Sequence, residues 1–151
     1  MFRSFVLACF CAVLCSFSAS AQLGKIPSAV TDSFSRQYPD AKQVSYGDNL
    51  GDYTVRFLID TSRMTAHYNK KGVWQGSDRA IAFESLSADV KDGFMKSKFS
   101  DWQVKEVLQL YLNAAQGGGE QYRIKVSKGD FKNRYLYFNR SGRLVKDKMA
   151  F

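Results

Sequence analysis

The chain writes one short phrase twice, "YNKKGVW" at 68–74 and "FNRSGRL" at 138–144. Each is an aromatic residue, an Asn, two polar residues led by a basic one, a Gly and, two positions on, an apolar residue. Between β-prone runs this pattern predicts a type I turn with Gly in the left-handed conformation, closing a hairpin that carries a bulge. Gly takes positive φ without a steric penalty, and Asn can bond its own backbone. Asn69, Gly72, Asn139 and Gly142 are therefore read as structural turn residues. A chain that repeats a hairpin turn at this interval is constrained to repeat the unit around it.

The surrounding sequence does repeat. "IPSAVTDSFSRQYPDA" (26–41) lines up with "LSADVKDGFMKSKFSDW" (86–102), and apolar residues fall four apart in both: Ile26, Val30, Phe34, Tyr38, and Leu86, Val90, Phe94. That spacing predicts one buried helix face in each. Pro27 suits a first helical turn, Ser87 and Asp89 suit the start of the second helix, and "YPD" and "FSD" are expected to end them. The period then changes to two. Tyr53, Val55, Phe57 and Ile59 alternate with polar or outward positions, as do Tyr122, Ile124 and Val126, which predicts strands with one buried face. Further strands are expected at 42–46, 63–68, 73–81, 103–112, 134–138 and 143–149, with turns at 47–52 and 113–120.

Neither unit could bury its helix stripe and sheet face alone. The expected fold is α+β: two tandem helix-plus-antiparallel-strand repeats (26–82 and 86–149) forming one sheet of about eight strands, with both helices packed on one face and the other face open to water.

Residues 1–21 stand apart from this pattern. Arg3 is followed by an uncharged run to Ala21, with a strongly apolar stretch at 5–17 too short to span a bilayer and a small-x-small ending at Ala19-Ser20-Ala21. This predicts a signal peptide cleaved near Ala21, a single domain over 22–151, no transmembrane segment in the mature chain, and a periplasmic or secreted location. All three cysteines (Cys9, Cys11, Cys15) fall inside the signal, so the mature chain has no thiol for a disulfide, a metal site or a nucleophile.

At this point the residues resemble a known family. "IPSAV…F…YPDA", an alternating strand with a central aromatic, and then aromatic-Asn-x-x-Gly, written twice behind a signal peptide, is similar to the β-lactamase-inhibitor-like, PepSY-like proteins of the Gram-negative envelope. The likeness covers nearly all of 26–146, with Ser87 in place of Pro27 and "FSDW" in place of "YPDA" in the second copy. It implies the fold above and a non-catalytic, protein-binding or regulatory role. It supplies neither a target nor catalytic residues.

The side chains themselves offer little chemistry. His67 is the only histidine, with no second His or Cys at ligand spacing, and reads as an exposed strand residue. Asp48, Asn49 and Asp52 lack the spacing of a calcium loop, and "QGGGE" (116–120) lacks the Lys-Ser/Thr of a phosphate loop. No catalytic residue, metal ligand or cofactor is expected. The alternation instead aims Arg56, His67, Arg123, Lys125, Tyr135 and Tyr137 at the open face, and Tyr with Arg on a rigid surface has the composition of an interaction site. These six are the candidate partner-binding residues, with an unidentified envelope protein as the expected partner.

The charge points a second way. Lys and Arg balance Asp and Glu from 22 to 120, whereas 121–151 holds nine basic and two acidic residues. An anionic envelope polymer or lipid headgroup bound through Lys125, Lys128, Lys132, Arg134, Arg140, Arg143, Lys146 and Lys148 is the alternative. Nucleic acid would satisfy the same charge but not the export signal.

Overall fold

A computed structural model describes residues 26–129 and 131–150. The signal peptide read at 1–21, with its cysteines, lies outside the described residues. Helix α1 (Ser28–Gln37) begins on Pro27, whose carbonyl accepts from the Val30 and Thr31 N–H groups. Pro27 thus stands just outside the helix rather than in its first turn. Helix α2 (Ala88–Met95) is capped by Ser87, whose hydroxyl accepts from the Val90 N–H at 3.4 Å. It ends before the "FSD" expected to stop it. The Ser97 hydroxyl donates to the Phe94 carbonyl and accepts from the Phe99 N–H, which turns the chain early and folds Phe99 under the helix.

The strands are β1 (Lys42–Asn49), β2 (Asp52–Ile59), β3 (Ser62–Asn69), β4 (Trp74–Ala80), β5 (Gln103–Leu112), β6 (Gly119–Lys128), β7 (Lys132–Asn139) and β8 (Leu144–Met149). They form one eight-stranded antiparallel sheet in the order β1 to β8. The turn expected over 47–52 shrinks to Leu50 and Gly51, both at positive φ, because Asp48 accepts from the Gly51 N–H and closes the hairpin tightly. The 113–120 segment carries a 3₁₀ turn at Ala114–Gln116, capped by Asn113 and left through three glycines at positive φ.

Opposed residues of antiparallel strands share a face. The register runs Val55, Ala66, Ser77, Tyr111 across one row and Gln109, Tyr122, Phe138 across another, so both helices cover the same face of the sheet. Beneath α1, Val30 and Phe34 pack on Tyr53, Val55, Phe57, Ala66 and Tyr68. Beneath α2, Leu86, Val90, Phe94 and Phe99 pack on Val107, Ile124, Val126, Leu136 and Phe138. Between the two cores the covered face turns polar. Ser77 links the Tyr38 hydroxyl and the Trp74 indole, and Arg79 donates to Gln109 at 2.8 Å.

Both phrase turns form as expected. Asn69 accepts at Oδ1 from the Lys71 and Val73 N–H groups, and Asn139 accepts from the Arg143 N–H and the Ser141 hydroxyl. Gly72 and Gly142 have φ of +73° and +75°. Each also lies against a first-turn helix carbonyl, Ala29 and Asp89 respectively, so closely that a Cβ would collide with backbone. The turns therefore need glycine twice over, for conformation and for space.

Candidate interaction face

The face turned away from the helices is set by the same register. Two bulges, at Tyr68/Trp74 and Phe138/Leu144, insert one residue into β4 and β8 and keep the strands beyond in alternation. From Thr54 and His67 the first half of this face continues through Thr65 and Asp78. Two rows form the second half: Leu108, Arg123, Tyr137, Lys146, and Glu106, Lys125, Tyr135, Lys148. All six residues chosen from sequence alternation occupy this face. Arg56 stands apart from the rest on β2, opposite Thr65.

His67 is less isolated than its sequence suggests. Its Nε2 lies 2.6 Å from the Asp78 carboxylate, and its side chain is 43 % exposed. The neighbour arises because His67 opposes Gly76, which has no side chain to fill the space beside it. Nothing in the linear order of residues 67 and 78 announces that contact; only the hairpin register does.

Leu108, Leu110 and Leu112 were not singled out from the sequence, yet they line the middle of the face along β5, half-buried. Their signal was present in "VLQLYL", where Leu at every second position faces away from Val107 and Tyr111. The run is apolar on both sides of the strand apart from Gln109, and β5 lies in the middle of the eight-stranded sheet. With His67, Asp78, Asp52, Gln116 and Arg123, Leu110 and Leu112 border a depression of about 440 Å³.

Cations and rings interleave on the second half. The Arg123 guanidinium stands 4.8 Å from the Tyr135 ring centre and donates to Glu106 at 3.1 Å. The Lys125 ammonium lies 5.7 Å from Tyr135, and that of Lys146 lies 5.7 Å from Tyr137. At exposed sites such contacts are worth about 0.5–1 kcal/mol each and favour these ring orientations. Among the described residues no cluster of three or more His, Cys, Asp or Glu side chains could hold a metal ion. Nor is any helix long and apolar enough to cross a membrane.

No family model matches the chain, and no curated protein matches it. Solved structures do. A DUF2874 family protein from Bacteroides ovatus superposes with a TM-score of 0.74 at 21 % identity, covering 82 % of this chain and 86 % of that one. A BLIP-like protein from Bacteroides fragilis gives 0.73 at 22 % identity over 82 % and 86 %. A Bacteroides eggerthii protein, classed provisionally as periplasmic, gives 0.71 at 18 % identity over 83 % and 90 %. At these identities the likeness establishes that this chain, an open eight-stranded antiparallel sheet with two helices, shares the fold of these proteins.

Proposed function

We propose that this protein is an exported, non-catalytic binding module of the bacterial envelope that docks a protein partner on the open face of its sheet. The observation that carries the reading is the makeup of that face: a half-buried leucine row on β5, flanked by Tyr135 and Tyr137 held among cations. An apolar centre with an aromatic and charged surround is the anatomy of a protein interface. In keeping with it, two of the similar structures are described as BLIP-like and as periplasmic. The chain is read as two tandem units of the β-lactamase-inhibitor-like, PepSY-like type, each a helix over four strands, with the first 21 residues as its export signal. Its contact residues are Arg56, His67, Arg123, Lys125, Tyr135 and Tyr137, joined by Leu108, Leu110 and Leu112.

The alternative is an anionic polymer or lipid headgroup held by the basic C-terminal hairpins, three of whose eight cations are spent within the chain. Lys128 pairs with Asp101 at 2.5 Å, Arg140 with Glu120 at 3.5 Å, and Arg134 with Asp147. Lys125, Lys132, Arg143, Lys146 and Lys148 have no ion pair among the described residues, so salt dependence separates the two readings.

The test is the double variant Tyr135→Ala/Tyr137→Ala, used beside the parent protein to capture partners from envelope extract. Loss of capture with unchanged far- and near-ultraviolet circular dichroism is expected. Unchanged capture removes this face from consideration. Capture that collapses between low and ~0.15 M salt instead favours the polymer.

A further inference from the structure

The ion pairs of the second half divide its cations into two groups. Several at the rim and on the helix side are paired within the chain, Lys128 with Asp101, Arg140 with Glu120, and Arg134 and Lys98 both with Asp147, whereas Lys132 and Arg143 have no ion pair among the described residues. On the open face Arg123 is spent on Glu106. Lys125, Lys146 and Lys148 share that face, and among the described residues none has a carboxylate within ion-pairing distance.

These three are placed by the register. Lys125, Tyr135 and Lys148 stand side by side on β6, β7 and β8, and Lys146 is two residues before Lys148 on the same strand. Strand geometry sets Lys146 and Lys148 about 7 Å apart along β8, and Lys125 about 10 Å from Lys148 across β7. Tyr135 lies between Lys125 and Lys148, and Tyr137 lies beside Lys146. The triangle surrounds one aromatic ring and touches a second.

From this arrangement we infer that the partner meets β6–β8 with protein carboxylates, two or three Asp or Glu side chains spaced about 7–10 Å apart, seated over Tyr135 and Tyr137. The inference rests on the docking proposal and gives it a chemistry. Lys146 and Lys148, about 7 Å apart along β8, fit acidic side chains at alternate positions of an extended segment, and Lys125 on β6 takes a third from the side. Three charges make a short row for a polyanion, whose binding grows with the number of phosphates or carboxylates it can track. Like-charge crowding is consistent with a waiting anion site: Lys148 beside it lowers the affinity of the Lys146 amine for its proton.

The probe is a capped heptapeptide, Gly-Glu-Leu-Glu-Leu-Glu-Gly, titrated into the isotope-labelled protein at low ionic strength and again at ~0.15 M salt. Its Gln counterpart, inorganic phosphate, and vesicles of phosphatidylglycerol serve as parallel arms. Shifts centred on Tyr135, Tyr137, Lys146 and Lys148 are expected with the Glu peptide, with an affinity about tenfold or more above that of the Gln peptide. Binding should also raise the Lys146 titration midpoint, a change that a purely structural lysine would not show. The variant Lys146→Glu/Lys148→Glu, both exposed positions, should lose the Glu peptide.

Equal binding of the Gln and Glu peptides would overturn the inference while leaving the docking face in place. Phosphate saturating the site as tightly as the peptide, or vesicle binding without peptide binding, would overturn it in favour of a small anion or a lipid. No response from any probe at this patch would also overturn it. The docking face itself is then judged by the tyrosine variant alone.

Discussion

Replacing Gly93 with alanine sets two rules against each other. Gly93 lies inside α2, and glycine in a helix interior ordinarily costs about 0.5–1 kcal/mol relative to alanine. On propensity alone the substitution stabilises. The fold reverses that sign, because the turn at Gly142 is pressed against the helix at this position. A Cβ on residue 93 would stand 2.8 Å from the Gly142 carbonyl carbon and 3.1 Å from its Cα, and closer still to the carbonyl oxygen. Carbon atoms prefer about 3.5–4.0 Å. What it meets is backbone in a closed turn, held by the Gly142 N–H on the Asn139 carbonyl and the Asn139 N–H on the Arg143 carbonyl. That turn cannot swing aside as a side chain could. Overpacking of this kind costs about 1–3 kcal/mol. Because the obstacle is backbone, the cost lies in the upper part of that range, about 2–3 kcal/mol. Set against the propensity gain, the net effect of Gly93→Ala is a loss of about 1–2.5 kcal/mol, which lowers the melting midpoint by roughly 3–10 °C for a domain of this size. Denaturant titration and a thermal scan, with the exposed-surface variant Lys96→Ala as a control, measure it. A Gly93→Ala protein as stable as the parent, or more so, would show that the turn does not bear on the helix.

Four further outcomes follow from the same structure. Leu136→Ala, at a fully buried position in the α2 core, should cost about 2–5 kcal/mol in denaturant titration. Asn69→Ala removes the acceptor for two turn N–H groups and should cost about 1–2 kcal/mol by the same measurement, without shifting the dichroism spectrum. His67→Ala breaks only a half-exposed pair and should change stability by less than about 1 kcal/mol. Burial holds the Tyr68 phenol far above its usual range, with its hydroxyl donated to Gln37. The neutral form is therefore bound more strongly in the folded state. Its contribution is complete below about pH 10 and drains away as pH rises beyond that, so stability should fall on the alkaline side, less steeply in Tyr68→Phe.

Where one period dominated, the architecture was readable from the residues. The spacing of four in Val30–Phe34 and Val90–Phe94 places both helix stripes, and the spacing of two in Tyr53–Phe57 and Tyr122–Val126 places both buried strand faces. Asn and Gly at fixed offsets gave the turns because their chemistry is local. Boundaries failed where a single side chain redirects the chain, as Ser97 does after α2. The candidate face was half legible. Alternation put Arg123, Lys125, Tyr135 and Tyr137 on the correct side, since that needs only parity within one strand. The His67–Asp78 contact, the use of Arg123 by Glu106 and the central place of the leucine row all depend on which strand lies beside which. No local pattern carries that information.

The polar strip of Ser77, Arg79 and Gln109 has a consequence for how the molecule comes apart. Apolar packing on either side of it falls into two clusters, bridged by Ile81, which follows β4 and packs on the α2 side, so the β4–β5 ladder is the main joint across which the halves cooperate. Hydrogen bonds between hydroxyl, guanidinium and amide groups tolerate small rotations that interlocked rings do not. The two apolar cores are thus separate packing units joined along this polar line. Local opening should fall into two blocks of amides, one under each helix, rather than one. A ligand lying across both halves would register the angle between them, and binding it would fasten the two blocks into a single melting unit.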